Sequence, residues 1–194
     1  MRTSSTPLRV STVLAFVISL SCALLGCSED LTVTTGAAVQ FDACQPLALA
    51  ADDGATAEQL QAIQDAVDLW NRTGATRLTV PGAAGAASGA DTQTPSLPIH
   101  FQRAAAPFHG LYDDRKVQIF INQDLVNHPQ VVTIAHEVGH ALGLVHVPTS
   151  ERASLMNSGN LKVDPTAGDV AALAALWGGC APAPAAPAPT SAAP

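Results

Sequence analysis

Three histidines, at positions 136, 140 and 146, together with a glycine at 143, limit what this chain can become more than any other feature of it. A four-residue step turns an α-helix by about 400°, so the imidazoles of His136 and His140 lie only about 40° apart on one face. If the helix ran on to His146, that side chain would point about 240° away from His140. For the three to meet, the helix must end between them. Gly143 is the residue for the break, because without a Cβ it can take a left-handed conformation and swing the chain back.

Three convergent imidazoles leave one position of a tetrahedral ion open, the pattern of a catalytic rather than a structural zinc site. The spacing therefore predicts one catalytic Zn2+ held by His136, His140 and His146. Glu137 sits about 100° round the helix from His136, turned away from ligation but within reach of a water on the metal. It is the candidate general base, taking a proton from that water and returning it to a leaving amine. A His-Glu-x-x-His pattern alone arises by chance in roughly one chain of this length in two hundred. Adding Gly143 and His146 lowers the rate to on the order of one in a hundred thousand, so the full pattern and not its core carries the reading.

The segment His136-Glu137-Val138-Gly139-His140-Ala141-Leu142-Gly143-Leu144-Val145-His146 resembles the signature of the metzincin zinc peptidases, and Gly139 to Leu144 looks most like the matrixins. The resemblance implies an α+β fold: a small mixed sheet packed on a long helix and the zinc helix, with a C-terminal helix after a methionine-containing turn. Met156, ten residues past His146, stands where that turn is expected and would support the site without ligating the metal. The implied activity is zinc-dependent endopeptidase action on proteins or peptides. The alternative is a zinc-containing lipoprotein that binds peptides without turnover.

Some residues depart from the matrixin pattern. Val147 follows the third histidine where matrixins usually carry Ser. No Tyr follows Met156, so the further zinc ligand of astacin-like and serralysin-like members has no counterpart either. Cys44 lies too close to Thr56 for a propeptide switch. His100, His109, Asp113 and Asp114 do not reproduce the spacing of matrixin structural zinc and calcium sites and read as surface or loop residues. His128 is assigned no role.

Residues 1 to 26 read as an export signal, with Arg2 and Arg9 ahead of an apolar run from Val10 to Leu25. Leu24-Leu25-Gly26-Cys27 resembles the lipobox of bacterial lipoproteins, which implies cleavage before Cys27 and lipidation of its thiol and amine. The expected product is exported and lipid-anchored to the bacterial cell envelope, at the outer membrane if Ser28 acts as the sorting residue. Residues 27 to 43 form a lipidated tether, 44 to 180 the peptidase domain, and 181 to 194 an Ala/Pro-rich tail that cannot build a core. Removing the signal takes away two of nine basic residues and leaves seven against sixteen acidic ones, a net charge of −9. That disfavours a nucleic-acid role, and the domain is expected to be a monomer. With Cys22 discarded and Cys27 lipidated, Cys44 and Cys180 remain in a compartment where disulfides persist, so they are expected to pair. Two buried free thiols are the alternative.

Within the domain, residues 45 to 51 read as a first strand. A capping box at Thr56 and Gln59 opens a helix in which Leu60, Ile63, Val67 and Trp70 share a face up to Gly74. Strands are expected at 77 to 80, 97 to 102 and 116 to 122, with a mobile Gly/Ala/Ser/Pro-rich loop at 81 to 96. Pro129 starts the zinc helix, which runs to about Leu142. The last helix is expected from about Pro165 to Trp177, capped by Asp164, with Val170, Leu173, Leu176 and Trp177 on one face.

Overall fold

The computed structural model describes residues 40–82 and 94–180. The signal segment, Cys27, most of the tether, most of the 81 to 96 loop and the Ala/Pro-rich tail lie outside them. The elements in chain order are β1 (Leu47–Ala51), α1 (Ala57–Asn71), β2 (Leu78–Thr79), β3 (Ser96–Gln102), β4 (Gly110–Asp113), β5 (Gln118–Asn122), α2 (His128–Ala141) and α3 (Ala167–Trp177). They form the expected mixed fold, a five-stranded sheet of order β2-β1-β3-β5-β4 with three helices. Four strands run parallel, and β4 alone is antiparallel, at an edge.

Alternation along β3 and β5 sends Leu97, Ile99, Ile119 and Ile121 into the core, all fully buried. α1 packs on β1 and β2, α2 on β4 and β5, and the two helices pack on each other. Their contact is fixed by Trp70, fully buried, whose indole N–H donates to the Ala135 carbonyl at 2.9 Å. That bond crosses from α1 to the turn of α2 just before His136.

The capping box of α1 forms as the sequence predicts: Thr56 Oγ1 accepts from the Gln59 amide, and Gln59 Oε1 from the Thr56 amide at 2.9 Å. Leu60 does not join the core, however, and is 45% exposed. The buried stripe begins only at Ala62, because the first turn lies ahead of the stretch where α1 meets the core.

Two strand boundaries differ from expectation. β5 starts at Gln118, not Lys116, because Lys116 and Val117 belong to the hairpin from β4. Val117 takes φ 57° there, and Asp113 Oδ1 accepts from the Arg115 and Lys116 amides. α3 starts after Thr166, whose hydroxyl and Asp169 build a second capping box; Asp164 instead meets His128 Nε2 at 3.3 Å. Leu173 is the buried anchor of α3, while Leu176 is 51% exposed. Cys44 and Cys180 are joined by a disulfide with their Cα atoms 4.9 Å apart, tying the first described strand's approach to the end of α3.

Candidate metal centre

α2 delivers His136 and His140 from consecutive turns of one face and then stops. Gly143 stands just past the helix at φ 95°; the Leu144 amide donates back to the Gly139 carbonyl and the Gly143 amide to His140, both at 2.9 Å. This is the Schellman closure that a glycine permits. The chain then doubles back and brings in His146. Its Nε2 lies 3.0 Å from Nε2 of His136 and 3.2 Å from Nε2 of His140, and one ligand atom from each residue falls within 4.8 Å of the others.

These separations can be tested against zinc. Imidazole nitrogens bound at about 2.0–2.1 Å in a tetrahedron lie about 3.3–3.4 Å apart, so the two separations to His146 are within a few tenths of an ångström of what the ion requires. The other ring nitrogens agree: His136 Nδ1 meets the Leu155 carbonyl at 2.7 Å and His140 Nδ1 the Leu144 carbonyl at 2.9 Å. Carbonyls accept, so each Nδ1 carries the hydrogen and each Nε2 turns a lone pair inward. Burial pushes the His136 imidazole down to about 3, so it is neutral and ready to ligate. The histidine triad fits a zinc site.

Glu137 is buried beside this cradle. Its Oε2 accepts the Tyr112 amide at 2.8 Å, which sets the carboxyl against the edge strand β4. Burial pushes this carboxyl up to about 8 in the metal-free chain, with the Tyr112 amide working the other way. Gly110 makes the approach possible, since a Cβ there would stand 3.0 Å from Glu137 Cγ and 2.8 Å from Thr133 Cγ2.

Met156 lies under α2, 1% exposed, with its sulfur where a Cβ on Gly139 would point. Its segment holds the site from below in three ways. The Leu155 carbonyl orients His136; the Met156 carbonyl accepts the Val147 amide at 2.9 Å; and Asn157 Nδ2 donates to the Val147 carbonyl at 2.8 Å. The residue after His146 is thereby fixed on both sides.

The sequence reading missed what holds that segment. Asp169, 1% exposed in α3, accepts from the Leu155 amide at 3.0 Å and from the Thr166 amide and hydroxyl at 2.8 Å, and also from the Ser154 hydroxyl. Arg152 Nη2 lies 3.7 Å away. A run of donors from Thr166 back to Ser154 thus ends on one buried carboxylate. Its only sequence signal was the Thr166-to-Asp169 capping spacing.

His100 pairs with Asp52 at 2.6 Å and stacks on Phe120, and Asp113 closes the β4–β5 hairpin. Among the described residues, the only group of three or more His, Cys, Asp or Glu able to share an ion is His136, His140 and His146. His100, His109, Asp113 and Asp114 are not brought together as a second centre.

A mixed α/β domain carrying three imidazoles on a helix and its following turn, with a glutamate inside the pair, defines the class: a chain with a zinc-type histidine centre. The sequence matches no protein-family profile and no curated protein. Two solved structures are similar to it over part of the chain. Myroilysin is 16% identical with a TM-score of 0.37, over 56% of this chain and 52% of that one, so the chain spans about half of its length. High choriolytic enzyme 1, a hatching enzyme zinc-protease from the medaka fish Oryzias latipes, is 12% identical with a TM-score of 0.44, over 73% of this chain and 94% of that one.

Proposed function

We propose that the chain is a zinc-dependent endopeptidase, with His136, His140 and His146 as the protein ligands of one zinc ion and Glu137 as general base. The observation that carries this reading is the convergence of the three Nε2 atoms, each of two rings locked from behind, with the Glu137 carboxyl one residue along the same helix. Zinc bound there supplies a Lewis acid that polarises a peptide carbonyl and acidifies a water.

The protein's own part follows from where its groups sit. With Oε2 held by the Tyr112 amide, Oε1 of Glu137 is the oxygen assigned to take the proton of the attacking water and hand it to the leaving amine. With zinc held by His136, His140 and His146, the buried Glu137 carboxyl would titrate lower than in the metal-free chain, toward the ionised form that a base needs. β4 is the sheet edge beside Glu137 and offers an extended peptide a strand to pair with.

The segment from Gly139 to Leu144 looks most like the matrixins, but Val147 after the third histidine departs from them, so the proposal is metzincin-like with the subfamily open. Export and lipid anchoring through Cys27 to the cell envelope are inferred from the sequence of the first 28 residues. Among the described residues no helix is long and apolar enough to cross a membrane.

Glu137→Gln tests the mechanism. Zinc content should equal that of the unaltered chain, while cleavage of a peptide library falls by about 10²–10⁴-fold. Cleavage that persists at the original rate would remove Glu137 from the mechanism. Zinc binding with no cleavage in the unaltered chain as well would favour the peptide-binding lipoprotein.

A further inference from the structure

An α-helix leaves its last four carbonyls without partners inside the helix. At the end of α2 these belong to Gly139, His140, Ala141 and Leu142, and each has an identifiable donor. The Leu144 and Gly143 amides serve Gly139 and His140 through the glycine closure. The other two are served from opposite ends of the domain: the Phe41 amide donates to Ala141 at 2.8 Å, and the Trp177 indole N–H to Leu142 at 2.9 Å. Ala141 and Leu142 are fully buried, so water does not replace either donor.

Leu142 is where α2 hands over to the turn that completes the metal centre. The next residue, Gly143, takes the left-handed conformation; Leu144 supplies the carbonyl that orients His140; and His146 follows two residues on. Any shift of the Leu142 peptide therefore moves one ligand's orienting partner and another ligand's approach together. Both remote donors are also held by a single covalent bond. Phe41 precedes Cys44 by three residues, Trp177 precedes Cys180 by three, and the Cys44–Cys180 disulfide joins the two segments. Trp177 is the last residue of α3, which is closed immediately afterwards by Gly178 at φ 79°.

The geometry points to Trp177 as a positioning residue for the metal centre, kept on the Leu142 carbonyl by the Cys44–Cys180 disulfide. This assignment rests on the zinc reading above. It gives the disulfide a task beyond restraining the chain: clamping the two donors that fix the exit of the zinc helix.

The test uses the purified full chain, zinc competition against a chromophoric chelator, and the visible absorption spectrum of the Co2+-loaded protein. Trp177→Phe keeps an aromatic ring, though a smaller one, and removes the N–H. Its zinc dissociation constant should rise about tenfold, the low end of what loss of an outer-shell partner does, and its cobalt bands should change. Cys44→Ser with Cys180→Ser, which frees both donors, should lose at least as much zinc affinity. Leu78→Ala, a core truncation in β2 away from the turn, should leave affinity and cobalt spectrum unchanged. Unaltered zinc affinity and cobalt spectrum in Trp177→Phe, or in the double serine variant should Trp177→Phe fail to fold, overturns the assignment, and so does an equal loss in Leu78→Ala. An unaltered chain that takes up no zinc overturns the metal reading itself, and this assignment with it.

Discussion

Asp169→Ala should be among the most damaging single substitutions that leave the ligands and Glu137 untouched. The carboxylate is 1% exposed and accepts from two backbone amides and two hydroxyls. Alanine leaves all four without it. The Ser154 and Thr166 hydroxyls can rotate to other acceptors, but the amides cannot: the buried Leu155 donor left unpaired costs about 1–3 kcal/mol, and the part-buried Thr166 amide less. Arg152, 3.7 Å away, loses its counter-charge as well. Together these give about 3–5 kcal/mol, a large part of the 5–15 kcal/mol typical of a whole domain. Asp169→Asn keeps one carbonyl oxygen for the Leu155 and Thr166 amides and turns its NH2 toward the Ser154 hydroxyl, which can rotate to accept; about 1–2 kcal/mol is expected. Because the Leu155 carbonyl orients His136, zinc affinity should also fall about 10–100-fold in the alanine variant. Urea unfolding with chelator present reads the first effect, and zinc competition the second. A loss below about 1 kcal/mol in Asp169→Ala, or an unchanged zinc affinity, would refute the view that this carboxylate holds the floor of the site.

Gly139→Ala sets two effects against each other. Alanine in a helix interior gains about 1 kcal/mol over glycine, but its Cβ would sit 2.5 Å from Met156 Sδ and 3.2 Å from Cε in a closed core, an overpacking that costs about 1–3 kcal/mol. A net loss of up to about 2 kcal/mol in urea unfolding, with weakened zinc binding, is expected; a variant stabilised by the full helix gain would contradict the contact. The metal-free chain should also show a pH optimum. The Glu137 carboxyl, raised to about 8 from an ordinary 4.5, contributes stability that is full below about 4.5 and lost as pH rises to 8. The His136 imidazole, lowered to about 3 from 6.5, contributes stability that is full above 6.5 and lost as pH falls toward 3. Thermal midpoints of chelated protein should therefore peak between about pH 4.5 and 6.5, and Glu137→Gln should flatten the alkaline limb; an identical alkaline limb in that variant would count against the burial argument.

The histidine cradle was legible in the sequence because it is almost wholly local. Eleven residues, the pitch of a helix and one glycine fix where His136, His140 and His146 go, and no distant contact is needed to state it. The disulfide was reached through compartment and elimination, and α1 through a capping box that forms as written. What escaped lies where the deciding partner is remote or the element short. β4 has four residues, too few for alternation to show, yet its Tyr112 amide holds Glu137. Asp164 looked like the cap of α3 because it precedes Pro165, but Thr166 wins by having Asp169 three residues on to reciprocate. Asp169 itself reads as an ordinary helix-start acid until the fold brings Leu155, fourteen residues earlier, onto it. Leu60 fits the helical period of the buried stripe but stands before the packed region begins, which periodicity alone does not reveal.

Zinc content measured together with peptide-library cleavage, on the purified chain before and after chelation, tests the central claim most directly. One zinc per chain, internal peptide bonds cleaved, and both lost with chelator and restored by zinc is the predicted result. A chain that holds no zinc, or holds one and cleaves nothing, would contradict it.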